Sequence, residues 1–416
     1  MFQTLRNAWK IPDLRKKIIF TLLMIAVFRL GTFIPVPGLN RAALQSLVGD
    51  GNNLFGMLNA FSGGAFSNAT IFAMGITPYI NSSIIIQLLT VAIPALERMM
   101  QEGEDGRKKM ASWTRYLTVI LAFVQATGLY FGLTNAVASR GFASYILIAL
   151  TFTAGTAFLM WLGEQITERG VGNGISIIIF AGIVSSLPTD IYVMAMNIIA
   201  NPSDMAMIGK VAAVVIVSII SVLFIIFMDN AERRISVQYA KRMVGRKMYG
   251  GQSTHIPIKV SMAGVIPIIF AMSILSFPQT LGAMLGKNWT WINPTSWWYI
   301  GIYFLLIIFF TYFYTAIQFN PIEIANNMKK NGGFVPGIRP GKPTSDFISK
   351  TMTRITLAGA FFLGIIAVLP MITGKYTNIP MSLGGSSLLI IVGVALETVR
   401  QIESQMLMRH YKGFLE

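Results

Sequence analysis

The residues of this chain that could do chemistry are few, and none is grouped for catalysis. Cysteine is absent, which excludes a disulfide framework, a thiolate nucleophile and a cysteine metal site. The two histidines, His255 and His410, are far apart and lack the paired spacing that a metal ion needs. The stretch GVGNG at 170–174 resembles a glycine-rich phosphate loop. No strand precedes it and the Walker and Rossmann contexts are missing, so Gly170, Gly172 and Gly174 are expected to form a helix-ending turn. An enzyme acting within apolar segments would need a Ser/His pair, paired aspartates or a metal set there, and the sequence offers none. Neither a metal nor another cofactor is expected.

The elements that must position any site are set by composition. The chain has 416 residues, 54% of them hydrophobic and 12% charged, with a mean hydropathy of +0.62, far from the balance of a soluble domain. A spanning helix needs about 20 apolar residues. Such runs recur at Ile18–Ile34, Phe72–Ile93, Trp113–Val137, Ala143–Gly163, Ile175–Ala200, Val211–Met228, Ile256–Phe277, Trp297–Phe319, Ile355–Ile372 and Leu383–Leu396. The expected fold is therefore an all-α polytopic membrane protein with ten spans. Pro188 interrupts the fifth span, which neighbouring helices or water can tolerate. Basic residues precede the first span as in a signal peptide, but no small-residue cleavage site follows and Val36-Pro37-Gly38 forms a turn, so an uncleaved helix is expected.

Charge sets the orientation. Of the 33 Lys and Arg residues, five (Arg41, Arg140, Lys210, Lys287, Lys375) fall on one side, Arg29 lies within the first span, and the other 27 fall on the side of the N-terminus. This is the positive-inside pattern with both termini cytoplasmic. It accounts for most of the net charge of +16 without nucleic acid. Two inner loops, 229–255 and 320–354, are long and mix basic residues with glycine and proline, which predicts hairpin-like protrusions. Ten spans divide into five and five, 1–205 and 206–416, and an odd number per half inverts the second half relative to the first.

Ionisable groups are nearly absent from the spans, whereas ion-coupled carriers and pumps keep them at membrane depth. Only Arg29 is clearly intramembrane; Glu164, Glu168, Asp229, Glu397 and Arg400 lie near inner helix ends. A secondary transporter with a broken-helix site is disfavoured on this ground. One further stretch, LFGMLNAFSGGAFSN at 54–68, is too short to span and too apolar for an ordinary loop.

Several stretches carry a family resemblance. FRLGTFIPVPG (28–38), NAFSGGAFSNATIFAMGITPYINSSIIIQLL (59–89), LMWLGEQITERGVGNGISIIIFAGI (159–183), QSTHIPIKVSMAGVIPIIFA (252–271), FNPIEIANNMKKNGGFVPGIRPG (319–341) and GGSSLLIIVGV (384–394) resemble the SecY family of bacterial Sec translocases, in its Gram-positive form. The resemblance implies two inverted five-helix halves around a central hourglass pore, in the bacterial cytoplasmic membrane. It also implies a passive channel that passes unfolded, signal-bearing preproteins and releases transmembrane segments sideways into lipid. Energy would come from the SecA ATPase or the translating ribosome, with SecE and SecG as partner subunits. Whether the heterotrimer works singly or as a homodimer stays open.

Site residues follow by motif position. The resemblance makes 54–68 a re-entrant plug half-helix carrying Phe55, Met57, Leu58, Phe61, Gly63, Gly64 and Phe66; two glycines weaken such a helix by about 1 kcal/mol each. It implies a pore ring of Ile76, Ile80, Ile175, Ile179, Ile269 and Ile390. Ile76/Ile80 and Ile175/Ile179 have i, i+4 spacing, which puts each pair on one helix face. A narrow apolar ring holds back ions by dewetting. The lateral gate would carry Asn81, Gln125 and Ser261, the last where the family often has asparagine. Lys241, Arg242, Arg246, Lys247 and Arg339 would dock SecA and the ribosome, where basic tips can meet rRNA phosphates. The resemblance gives Arg29 no role.

Overall fold

Ten of the helices occupy the ten apolar runs, and where their ends differ from expectation a local cause is visible. The computed structural model describes residues 2–48, 59, 62–133, 136, 137, 139, 141–200, 205–239, 242–244, 247–249, 253–284, 296–377 and 385–412. The helices are α1 (Phe2–Lys10), α2 (Pro12–Gly31), α3 (Arg41–Val48), α4 (Thr77–Ala92), α5 (Pro94–Gln101), α6 (Glu104–Gly132), α7 (Phe142–Arg169), α8 (Gly174–Ala200), α9 (Met205–Asn230), α10 (Ile266–Met284), α11 (Trp297–Gln318), α12 (Pro321–Lys330), α13 (Lys342–Thr377) and α14 (Gly385–Lys412). The strands are β1 (Glu232–Tyr239), β2 (Arg242–Val244), β3 (Lys247–Tyr249), β4 (Ser253–Lys259) and β5 (Gly333–Phe334). Five helical stretches are long and apolar enough to cross a membrane unaided; α4 and α5 together make a sixth, bent by 106°. α2, α6, α10 and α14 fall short of that measure because charged turns or a short apolar run limit them.

The bend after α4 is a proline effect. Ile93 precedes Pro94 and sits extended at φ −113°, ψ 109°, as the ring of the following proline requires. α5 then runs across the inner end of the bundle with Leu96 packed on Ile86 and Met110. Pro188, by contrast, leaves α8 continuous. Ser185 and Ser186, just before it, donate to the carbonyls of Gly182 (2.6 Å) and Ile183 (2.8 Å).

Two expected spans start late. The second, expected from Phe72, is a run of turns to Ile76, and α4 begins only at Thr77 behind Gly75 with φ +58°. The seventh, expected from Ile256, is displaced because Ser253–Lys259 pairs as β4 with β1 in antiparallel register, from Glu232 opposite Lys259 to Gln238 opposite Ser253. Gly264 at φ +58° closes the turn before α10.

The two inner protrusions are one body. β5 adds to the free edge of β1, with Gln238 opposite Phe334 and Tyr239 opposite Gly333, and β2 and β3 form a separate hairpin between β1 and β4. Ile235, Val237, Ile258, Met328, Val335, Ile348 and Met352 close a small core beneath this sheet. α12 is capped by Asn320, whose side chain accepts from the amides of Ile322 (3.1 Å) and Glu323 (3.3 Å) with Pro321 at the first helical position. Much of the expected loop 320–354 is therefore helix, and α13 extends inward to Lys342.

Candidate functional site

The six isoleucines converge. Ile76, Ile80, Ile179 and Ile390 are buried in the central apolar cluster of the bundle, and Ile175 and Ile269 pack against it. Ile76 caps α4 and accepts from the amide of Ile80 at 3.1 Å. Ile80, Ile175, Ile179 and Ile269 also line a cavity of about 430 Å³, together with Tyr79, Gln87, Arg115, Glu164 and Glu168. A second cavity of about 440 Å³ shares Asn173, Ile266 and Tyr314 with it and is lined by Asp229, Lys259, Ser261, Glu397 and Arg400. The two form one vestibule with a charged wall and an apolar floor.

Each charged cluster of that wall ties two spans together. Arg115 on α6 donates through Nε to Glu164 on α7 at 2.8 Å. Arg400 on α14 donates through Nη2 to the Asp229 carbonyl (3.0 Å) and Asn230 Oδ1 (2.9 Å), where its charge meets the negative end of α9. Its Nη1 lies 2.8 Å from Asp229 Oδ2, a charge contact without hydrogen-bond geometry. Hydropathy marked Glu164, Asp229 and Arg400 only as helix-end charges and passed over Arg115; the signal that would have paired them is their placement at the same ends of neighbouring spans.

Beyond the isoleucines lies the short segment. Phe55, Met57, Leu58 and Phe61 lie outside the described residues. Asn59 and 62–76 are described, and 62–76 form successive turns, not a regular helix. Gly63 (φ +64°) and Gly64 (φ +85°) take left-handed backbone that a side-chain-bearing residue would resist. Phe66 is 1% exposed and packs among Ala122, Ala126, Leu129 and Phe152. Ser67 donates its amide to Asn59 Oδ1 (2.8 Å), and Ala69 accepts from the amide of Val36 (2.7 Å).

The seam residues are not hydrogen-bonded to one another. Asn81 is buried with Nδ2 unpartnered, while Gln125 and Ser261 are half-buried. α10 packs against both α4 and α6.

The SecY family profile matches residues 70–399. The protein translocase subunit SecY of Halalkalibacterium halodurans is 48% identical over the full length of both chains. The chain belongs to the SecY family. Two solved structures share the SecY fold at lower identity. One, at 18% identity and TM-score 0.67 over 95% of this chain and 93% of that one, is described as showing that the plug domain of SecY stabilises the closed state of the translocation channel and maintains a membrane seal. The other, Sec61 in a canine ribosome–channel complex, matches at 16% identity and TM-score 0.61 over the same shares.

The basic residues expected to dock partners are partly described. Arg242 and Lys247 lie at the ends of β2 and β3, paired with Tyr249 and Val244, while Lys241 and Arg246 lie outside the described residues. Arg339 is exposed in the turn between Gly337 (φ +81°) and Gly341 (φ +102°), and its carbonyl accepts from Thr344 Oγ1 at 2.9 Å. That bond holds the turn so that the guanidinium projects outward.

Proposed function

We propose that this member of the SecY family is the passive, gated channel of a Sec translocon: unfolded preproteins cross between its helices, and apolar segments leave sideways between α4, α6, α10 and α11. The observation that carries this is that four of the six isoleucines, Ile80, Ile175, Ile179 and Ile269, line the vestibule beside its charged groups, with Ile76 and Ile390 buried in the same apolar core. An apolar constriction fits around arbitrary sequence without offering a polar group that would bind it. The charged wall keeps the entrance hydrated, and the turns at 62–76 would serve as the removable seal. The chain itself supplies no chemistry, so transport is driven by SecA or by the ribosome, with SecE and SecG as companion subunits in the bacterial cytoplasmic membrane and both termini cytoplasmic. The halves 1–205 and 206–416 would be the bodies that separate when the seam opens.

The test is site-specific photocrosslinking. With a signal-bearing preprotein stalled in the reconstituted complex, probes at Ile76, Ile80, Ile175, Ile179, Ile269 and Ile390 should each label the translocating chain. Labelling at none of the six would remove the pore assignment.

The joined sheet and the Arg339 turn support one docking face for motor and ribosome. Arg339→Glu reverses an exposed charge whose only described bond is through its backbone carbonyl. Export driven by SecA should fall about tenfold or more, as reversal of a contacting charge costs at least 1.4 kcal/mol, with the folded, inserted chain unchanged in amount. Undiminished export would take Arg339 out of the docking face.

A further inference from the structure

Arg29 is an intramembrane cation with no acid paired to it among the described residues. Its guanidinium instead stands 5.8 Å over the Phe33 ring. An ionisable group at membrane depth without a counter-ion is there for a reason other than stability.

Its contacts point to one. Nη1 donates to the Gly63 carbonyl at 3.1 Å and to Ser185 Oγ at 2.9 Å. Ser185 in turn donates to the Gly182 carbonyl at 2.6 Å, which leaves its oxygen free to accept from Arg29. At the same point the short segment touches α8 backbone to backbone. A Cβ added to Gly63 would stand 2.9 Å from Gly182 Cα, 3.0 Å from Ser185 Oγ and 3.1 Å from Arg29 Nη1. One guanidinium nitrogen therefore holds three elements together: α2, the turn at Gly63, and α8 one turn before Pro188.

We propose that Arg29 and Ser185 are positioning residues that latch the turns at 62–76 onto α8, so that breaking two hydrogen bonds from a single cation is the step that unseats the seal. The inference rests on the reading of that segment as the plug. A latch of this kind suits a part that must leave. Its bonds are charge-assisted, hence firm while the site is dry. They are two in number and made to groups that water can satisfy once a polypeptide opens the path. The charge also explains the glycine: only a residue without a side chain lets the carbonyl reach Arg29 while the backbone lies on Gly182.

Resting ion conductance of the chain, reconstituted with its partner subunits in planar bilayers, tests this. Arg29→Gln should raise it about tenfold, the effect of losing a charge-assisted hydrogen bond, Ser185→Ala severalfold, and Arg29→Lys should restore it close to the parent. In a chain deleted of residues 59–68, which should leak by itself, Arg29→Gln should add nothing. If the deletion leaks but Arg29→Gln and Ser185→Ala both seal like the parent, the latch is wrong and the plug reading stands. If the deletion seals as tightly as the parent, the plug reading fails and the latch with it. A further rise from Arg29→Gln in the deleted chain would put the leak elsewhere and also overturn the latch. Should Arg29→Gln fail to assemble, Ser185→Ala alone decides, because it keeps the charge and removes only the acceptor on α8.

Discussion

Replacing Ile80 and Ile179 together by asparagine should raise the resting ion conductance of the reconstituted complex about tenfold, because a barrier lowered by only about 1.4 kcal/mol multiplies flux that much. The two side chains are 9% and 2% exposed, belong to the central apolar cluster, and both line the floor of the vestibule. Leaving an amide without a partner in an apolar site costs about 1–3 kcal/mol. The constriction answers by admitting water, and water carries ions. The substitution acts on the seal through the side chains, since both positions lie within α4 and α8 and the Ile80 amide keeps its bond to the Ile76 carbonyl. Conductance measured across planar bilayers, with the complex shown intact by its sedimentation, checks it. A double variant as tight as its parent would mean that these isoleucines pack the bundle and do not gate it.

How much of this was legible beforehand can be traced through particular residues. Each of the ten apolar runs holds a helix, because helices that face lipid must be apolar all round, and that signal survives even where tertiary structure is unknown. It failed at two helix starts for one reason: apolar residues are apolar in strands and turns too. Ile256 to Ile258 opens the hydrophobic run of α10 but belongs to β4, whose partner β1 lies some twenty residues back. Residues 70–76 continue the run of α4, yet they follow a non-helical path set by Gly75. The union of the two inner loops was invisible for a different reason. β5 is two residues long and pairs across almost a hundred positions, too little local pattern for any periodicity to mark.

The site was legible in kind and not in wiring. Six isoleucines could be placed by motif, and all six fall in or against the large apolar core of the bundle, which they share with many other side chains. Asn81, Gln125 and Ser261, named by motif, make no hydrogen bond to one another, and Asn81 keeps an unpartnered amide. Arg29 was the reverse case. Its position in a span made it conspicuous, but its partners are a backbone carbonyl and a serine, and neither residue type announces itself in a sequence.

Gly155 shows the same limit with the largest structural consequence. It looks like any glycine in a long apolar helix, where alanine would be the better helix former by roughly 1 kcal/mol. In the structure a Cβ at this position would run into the Ile71 carbonyl oxygen, 2.9 Å from its carbon and 3.4 Å from Phe72 Cδ1. The segment it would strike cannot retreat. The amide of Ile71 donates to the Ile34 carbonyl at 3.1 Å, Pro35 bridges Thr70, and Thr156 on α7 donates to the Gly75 carbonyl at 3.3 Å. Gly155→Val should therefore destabilise the chain by about 3 kcal/mol, the upper range for overpacking a tight interior, and prise the turns at 70–76 away from α7. The thermal midpoint of the detergent-solubilised complex should fall and its resting conductance rise together, because the same displacement loosens the bundle and moves Ile76. Gly141→Ala, where an added Cβ meets nothing within 4 Å, is the matched control and should change neither. A Gly155→Val complex with unchanged midpoint would mean that the contact between α7 and the Ile71 turn is not what holds the ring residue in place.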